Sequence, residues 1–457
     1  MNKSTVPALK WVGLVLAVLI SGLGAGLGFW QRVPAQYVIF YAAATFALVV
    51  WVWNSYLPRW SGDADEAGAK GVGRRGRNGF KTFLVRFRSI LASLVLLVAA
   101  FLIASVTVTG FFSLMNVITF LILAALIIFA TLVSKLFVDN RSAFIGLTVL
   151  IGMFAIGSLN IDGFFSTANV KSMLVFASFL GIACIGQTLV ALLGGLDLSI
   201  PFVIGSSNVG LLYLLGLGVP SWLGVVIILI LGAGIGFING ILSFRLQGQA
   251  LILTLGVGFA ISGGTQILTS IGTAYGGNVF GAVPDWLKNL AAMNGSTFGL
   301  DVPPVIFIWI ILAAVLIYAM KNSVYGRYMY GLGGNRTSAQ RLSISERRYW
   351  VGAFAISGCV SAFTGALLLG WSGGGFIGVG QPYLFMTLAA VVIGGTSLLG
   401  GYGGYGFTVI GVLVLQVLTS FLIGIGLKYE WQQFIFGILI LPMVALYARS
   451  PHIRTQI

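Results

Sequence analysis

Charge is scarce in this chain, and acid scarcer still. Only 8% of the 457 residues are Asp, Glu, Lys or Arg, and the acids number just 10, whereas a soluble globular domain is about 25% charged. Hydrophobic residues make up 58% and the mean hydropathy is +1.03. That balance excludes a water-soluble globular fold and predicts an all-α polytopic membrane protein. Histidine occurs once, as His452 in the C-terminal tail, so no Ser/His or Cys/His pair and no His-rich metal cluster can be assembled. Cys184 and Cys359 lie in separate apolar runs without a C-x-x-C spacing, which argues against a redox pair or a thiolate metal site. No G-x-x-x-x-G-K-[ST] phosphate cradle occurs, so hydrolysis of ATP by this chain is not expected.

What is present is apolar sequence in spanning lengths. Fourteen runs are predicted, at about 9–30, 36–57, 89–108, 114–134, 143–160, 173–193, 200–218, 222–243, 250–271, 304–320, 349–370, 384–399, 405–426 and 431–448. With a cytoplasmic N-terminus, 21 of the 25 Lys and Arg fall in connections on that side, leaving Arg32, Lys171, Lys288 and Lys428 outside. This is the positive-inside distribution, and it predicts an inner-membrane protein with both termini cytoplasmic. The net charge of +15 is therefore read as a topology determinant touching membrane lipid, not as a nucleic-acid surface. The first run follows Lys3 and Lys10 and is either a signal or a retained helix. Its continuation to Trp30 without an A-x-A site favours retention.

Residues 1–141 are expected to form an extension of four spanning helices. A basic, glycine-rich cytoplasmic linker at 58–88 interrupts it. The motif G-F-F-S-x-x-N-V occurs at Gly110–Val117 and again at Gly163–Val170, and 12 of 30 positions match at an offset of 53 residues. The extension thus contains a partial duplicate of the hairpin that opens the core at 142–457, and accessory helices are expected there.

Three stretches of the core carry chemistry. In Gly194-Gly195-Leu196-Asp197-Leu198-Ser199-Ile200-Pro201 a carboxylate stands at a helix junction, where it must be solvated, paired or capping. Asp197 or Ser199 is expected to cap the helix starting near Ile200, with Pro201 in its first turn, and the same residues can orient solute beside a water-filled path. Gly394-Gly395-Thr396-Ser397-Leu398-Leu399-Gly400-Gly401-Tyr402-Gly403-Gly404 is a second break, because each glycine costs about 1 kcal/mol in a helix interior. Irregular backbone at membrane depth survives only where protein or a water cavity covers it. The basic connection at 321–348 holds Gly333, Gly334 and Asn335. Asn335 or Thr337 can cap a short helix that places Ala339, Leu342 and Ser343 on one side, which suits docking to a soluble partner. Gln187, Thr188, Ser206, Asn208, Thr265 and Gln266 are candidate lining residues of a path for polyols.

In order and spacing, G-Q-T-L-V at 186–190, G-L-D-L-S at 195–199, G-R-Y-M-Y-G-L-G-G-N at 326–335, R-L-S-I at 341–344 and I-G-G-T-S-L-L-G-G at 393–401 resemble the ribose/xylose-type permease family of bacterial ABC importers. The likeness runs over about 142–450. It implies a type II importer permease fold, a second permease copy or paralogue, cytosolic ATPase subunits that bind ATP and Mg, and a periplasmic sugar-binding protein. It further implies that Gly333–Ile344, including Ala339, Arg341, Leu342 and Ser343, is the coupling segment entering a groove on the ATPase. Residues 1–141 have no counterpart in ordinary short members, and Ile344 stands where a glycine commonly follows R-L-S. An ion-coupled secondary transporter is the rival reading, weakened because no Asp or Glu lies inside a core run and Asp197 stands in the short break between two adjoining ones. A membrane enzyme is third, for want of His, Cys and intramembrane acids.

Overall fold

The computed structural model describes residues 141–245, 250–271 and 276–437. Helix α1 (Arg141–Asn160) opens them. The compact unit treated below comprises residues 149–154 and 163–437 of these; 141–148 and 155–162 belong to another unit. Seven stretches among the described residues are long and apolar enough to cross a membrane. Of the fourteen predicted runs, the ten from 143 onward reach the described residues; the four at 9–134, the linker at 58–88 and most of 431–448 lie outside them.

Helix α2 (Thr167–Leu192) is the axis of the unit. Its residues are apolar on every side, and such a helix is stable only when enclosed. From Ala177 to Leu192 every residue is buried. Its partners are α7 (Pro304–Asn322), α10 (Glu346–Ser372), α11 (Tyr383–Gly394) and α12 (Tyr405–Gly424). Ser166 caps the helix by accepting from the amide of Asn169, so it begins six residues before the apolar run at 173.

Small residues choose the neighbours, as they do where hydrophobicity cannot discriminate among apolar helices. Helix α4 (Ser221–Arg245) carries Gly232, Gly236 and Gly240 at four-residue spacing, and a Cβ at each would collide with Gly358, Phe354 or Val351 of α10. The same logic joins α11 to α12, where Gly394 lies against the Phe407 carbonyl and Gly411 against that of Ala390. Helix α3 (Ile200–Gly216) packs against α10, and α5 (Ala250–Ser270) packs on α3 and α4 with Leu251, Ile252, Phe259, Ile267 and Leu268 left exposed.

Two departures from the hydropathy pattern matter. Helix α11 stops after 12 residues at Gly394, not at 399, because Gly395 turns left-handed at φ +102° and the chain stays irregular to Gly404. Between α5 and α7 the chain forms a short helix, α6 (Asp285–Ala291), and a two-residue strand β1 (Asn278–Val279), antiparallel to β2 (Gly375–Phe376).

Candidate coupling site

The connection at 321–348 folds into two helices, α8 (Val324–Gly334) and α9 (Arg336–Arg341). Helix α8 was not expected from Y-G-R-Y-M-Y-G-L-G-G, whose glycines lower helix propensity. Packing of Met329 and Leu332 into the core overrides that cost. Ser323 caps α8 through the Gly326 amide, and Asn335 caps α9 through the Ser338 amide at 2.9 Å. Of the two caps considered for α9, Asn335 serves and Thr337 does not.

Helix α9 ends in a Schellman arrangement. The amide of Ile344 bonds the Ala339 carbonyl, that of Ser343 bonds Gln340, and Ser343 itself sits left-handed at φ 59°. Ala339 is buried and Ile344 packs against the same core cluster. Arg341 and Leu342 project outward, with Leu342 75% exposed. Leu342 and Ser343 therefore do not share the Ala339 face. The helix closes at Arg341, and the left-handed residue turns the chain away.

The three motifs meet at the C-terminal end of α2. A helix leaves its last carbonyls without internal donors, and here the other two motifs supply them. The Gly401 amide bonds the Leu192 carbonyl at 2.9 Å, and the Arg336 Nη2 donates to the Leu193 carbonyl at 2.8 Å. Gly333 lies so close to the Leu192 carbonyl and the Gly401 amide that a Cβ would overlap both. Gly401 sits equally close to the Gly334 backbone, at φ +71°. Arg336 also pairs with Glu346 at 3.3 Å and lies over the Trp350 ring. Gln340 bonds the second Glu346 oxygen at 3.0 Å. The phenol of Tyr330 donates to the Gly403 carbonyl, and burial pushes its pKa up, so it remains a donor. Sequence reasoning missed Arg336, Glu346, Trp350 and Tyr330. The arginine directly after the Asn335 cap was the available signal.

The break at 194–199 is closed around Asp197. Its Oδ1 accepts from the Ser199 amide at 3.0 Å and the Ser199 hydroxyl at 2.6 Å, and its Oδ2 accepts from the Ser357 hydroxyl at 2.7 Å. Asn239 donates to Ser199 Oγ, and Thr254 accepts from the Leu198 amide. Gly195 rests on Trp350, so the break touches the ring that Arg336 covers. Ser199 is the residue before α3 but makes no side-chain cap, and Asp197 caps only the Ser199 amide. Asp197 is 2% exposed, with no Lys or Arg paired to it among the described residues. It ties the break to α10 directly and to α4 through Ser199, and does not face solvent.

The second break is held by hydroxyls. Thr396 Oγ1 accepts from the Gly404 amide, the Ser397 hydroxyl accepts from the Leu399 amide while its own amide donates to the Tyr402 carbonyl, and Thr408 bonds Thr188 of α2 at 2.9 Å. The residues proposed from sequence to line one path lie on three helices, α2, α3 and α5, and are held differently. Thr188 is tied to Thr408, and Asn208 bridges the Gly365 carbonyl to the Phe376 amide. Gln187 is fully enclosed, while Gln266 is exposed on α5. Hydrogen bonds occupy Thr188 and Asn208, whereas the buried polar atoms of Gln187 and Ser206 have no partner among the described residues.

Residues 169–444 match the family described as the branched-chain amino acid transport system / permease component. The chain belongs to this permease family. Similar proteins include the ribose import permease protein RbsC of Haemophilus influenzae, 31% identical over 68% of this chain and 94% of that one. The probable ABC transporter permease protein YphD of Escherichia coli is 33% identical over 68% and 91%. The fructose import permease protein FrcC of Rhizobium meliloti is 29% identical over 69% and 88%. No solved structure matches the chain significantly. As a permease, the protein is a transport component of a multi-pass inner-membrane system, and the region where the motifs meet lies wholly inside the matched segment.

Proposed function

We propose that this permease is the membrane subunit of an ATP-driven importer of a monosaccharide or related polyol, and that residues 323–345 receive the force of ATP binding from a separate ATPase. The observation that carries the reading is the junction of Gly333, Arg336 and Gly401 on the last carbonyls of α2. A push on the exposed Arg341 and Leu342 reaches both helix breaks through atoms already in contact, without an intervening flexible segment. Gly195, Asp197 and Ser199 on one side, and Gly394, Gly395, Thr396 and Ser397 on the other, are the places where helices can shift. A partner drives that shift only by binding one state better than the other. The sugar class follows from relatives whose names specify ribose and fructose import.

Partners in this reading are two ATPase subunits that bind ATP and Mg, a periplasmic sugar-binding protein and a second permease subunit, with both termini cytoplasmic. Ion coupling is the weaker reading, because the Asp197 carboxylate is buried and occupied by three donors. The test is co-expression with the ATPase and binding protein, reconstitution into liposomes and measurement of sugar uptake. ATP-dependent uptake abolished by omitting either partner supports the proposal. Uptake driven by a proton or Na⁺ gradient without ATP overturns it.

A further inference from the structure

Gln187 stands one residue before a hydroxyl bridge and one residue after a backbone contact. Thr188 bonds Thr408 of α12, and Gly186 lies directly against Ser357 of α10. One turn earlier, Cys184 points its thiol at the Thr387 carbonyl of α11. Helix α2 is therefore gripped from three sides around Gln187, which is 0% exposed. Neither its amide nitrogen nor its carbonyl oxygen has a hydrogen-bond partner among the described residues. A buried primary amide left unpartnered is costly, and an apolar residue of similar length would remove that cost. The other buried hydroxyls of α2, Ser178 and Thr188, satisfy themselves on carbonyls of the preceding turn. The Gln187 side chain does not. It also lies within one and a half turns of Leu192, the carbonyl on which the coupling connection and the second break converge.

We propose that Gln187 is a state-dependent pathway residue: sheltered in this conformation, it is uncovered when the end of α2 is displaced, and its amide then donates to and accepts from the hydroxyls of the passing solute. A carboxamide offers donor and acceptor side by side, which suits the hydroxyls of a polyol. The unpartnered amide also weakens the sheltered state relative to the uncovered one, so the same atoms that meet the solute make the closed packing easier to leave. The inference rests on the transport reading above and adds to it the residue and the moment of contact.

The test uses the full chain assembled with its ATPase and binding protein in liposomes, with Cys184 and Cys359 replaced by alanine and Gln187→Cys introduced. Labelling by N-ethylmaleimide is followed with and without Mg-ATP. The expected result is labelling at least about tenfold faster during turnover than at rest. Equal, slow labelling in both conditions overturns the proposal and leaves a bridging buried water as the explanation of the amide. The near-isosteric Gln187→Met variant, in an otherwise unmodified chain, is the second arm. It should raise the unfolding midpoint by a few degrees while slowing uptake at least about fivefold. Unchanged uptake, or a lowered midpoint, overturns the proposal. If the unsubstituted assembly shows no ATP-dependent uptake, the transport reading fails by itself. Slow labelling in an assembly that does transport sinks only the assignment of Gln187.

Discussion

The amide of Gly401 donates to the carbonyl of Leu192 at 2.9 Å, joining the glycine-rich break after α11 to the last turn of α2. That carbonyl is one of the unsatisfied acceptors every helix end exposes, and the Gly333 backbone crosses it within contact distance. Gly333 and Gly401, having no Cβ, let their backbones reach that of Leu192 there. The contact joins segments that are distant in the chain, and its geometry supports specific expectations.

Gly333→Ala places a methyl group on the Leu192 carbonyl and the Gly401 amide. Overpacking of this kind costs about 1–3 kcal/mol, so the unfolding midpoint should fall and ATP-dependent uptake should drop more than tenfold. Gly334→Ala, whose Cβ meets nothing within 4 Å, should leave both near the unsubstituted values. Thermal unfolding in detergent and liposome uptake measure the pair. Equal effects from the two substitutions would count against a close-packed junction.

Arg341→Glu combined with Leu342→Asp alters two outward-facing residues. The protein should insert and unfold at an unchanged temperature, yet lose coupling between ATP hydrolysis and uptake. Normal uptake with full ATPase stimulation would remove the coupling role from this segment.

Asp197→Asn should be tolerated far better than Asp197→Leu. Asparagine keeps an acceptor for the Ser199 amide and hydroxyl, and its amide can donate to Ser357 once that hydroxyl rotates. Leucine strands all three donors, each costing about 1–3 kcal/mol when buried without a partner. Thermal denaturation should rank the proteins unsubstituted, Asn, Leu. Equal and severe loss of uptake in both variants, with folding intact, would show that the negative charge itself is required.

Ser343→Gly should stabilise the chain. A left-handed residue other than glycine costs about 1–2 kcal/mol, and Ser343 holds that conformation at φ 59°. Glycine removes the strain at the expense of a more flexible unfolded chain, so a net gain of about 0.5–1 kcal/mol is expected. The check is a rise in the unfolding midpoint with the α9 end unchanged in uptake assays; a fall would mean that the serine makes a compensating contact.

Much of the architecture was legible in the chain. Bilayer thickness sets how long an apolar run must be, so hydropathy located the runs from 143 to 426, and glycine density located both breaks. The short helix after Asn335 was readable because capping is a local hydrogen bond within three residues. The length of α11 and the existence of α8 were not, since each reflects a contest between glycine cost and burial that local sequence does not decide.

Composition by itself determined the solvent, the class and the absence of an ATP-binding lysine loop, because those depend on residue types and short spacings. Tertiary structure alone decided that Leu192, Gly333, Arg336 and Gly401 meet, that Asp197 is enclosed by Ser199 and Ser357, and that Gln187 is sealed without a partner. Apolar helices are interchangeable to a hydropathy scale. Which of them touch is settled by where small residues let backbones approach and by which buried polar atoms find one another, and both are facts of three-dimensional shape.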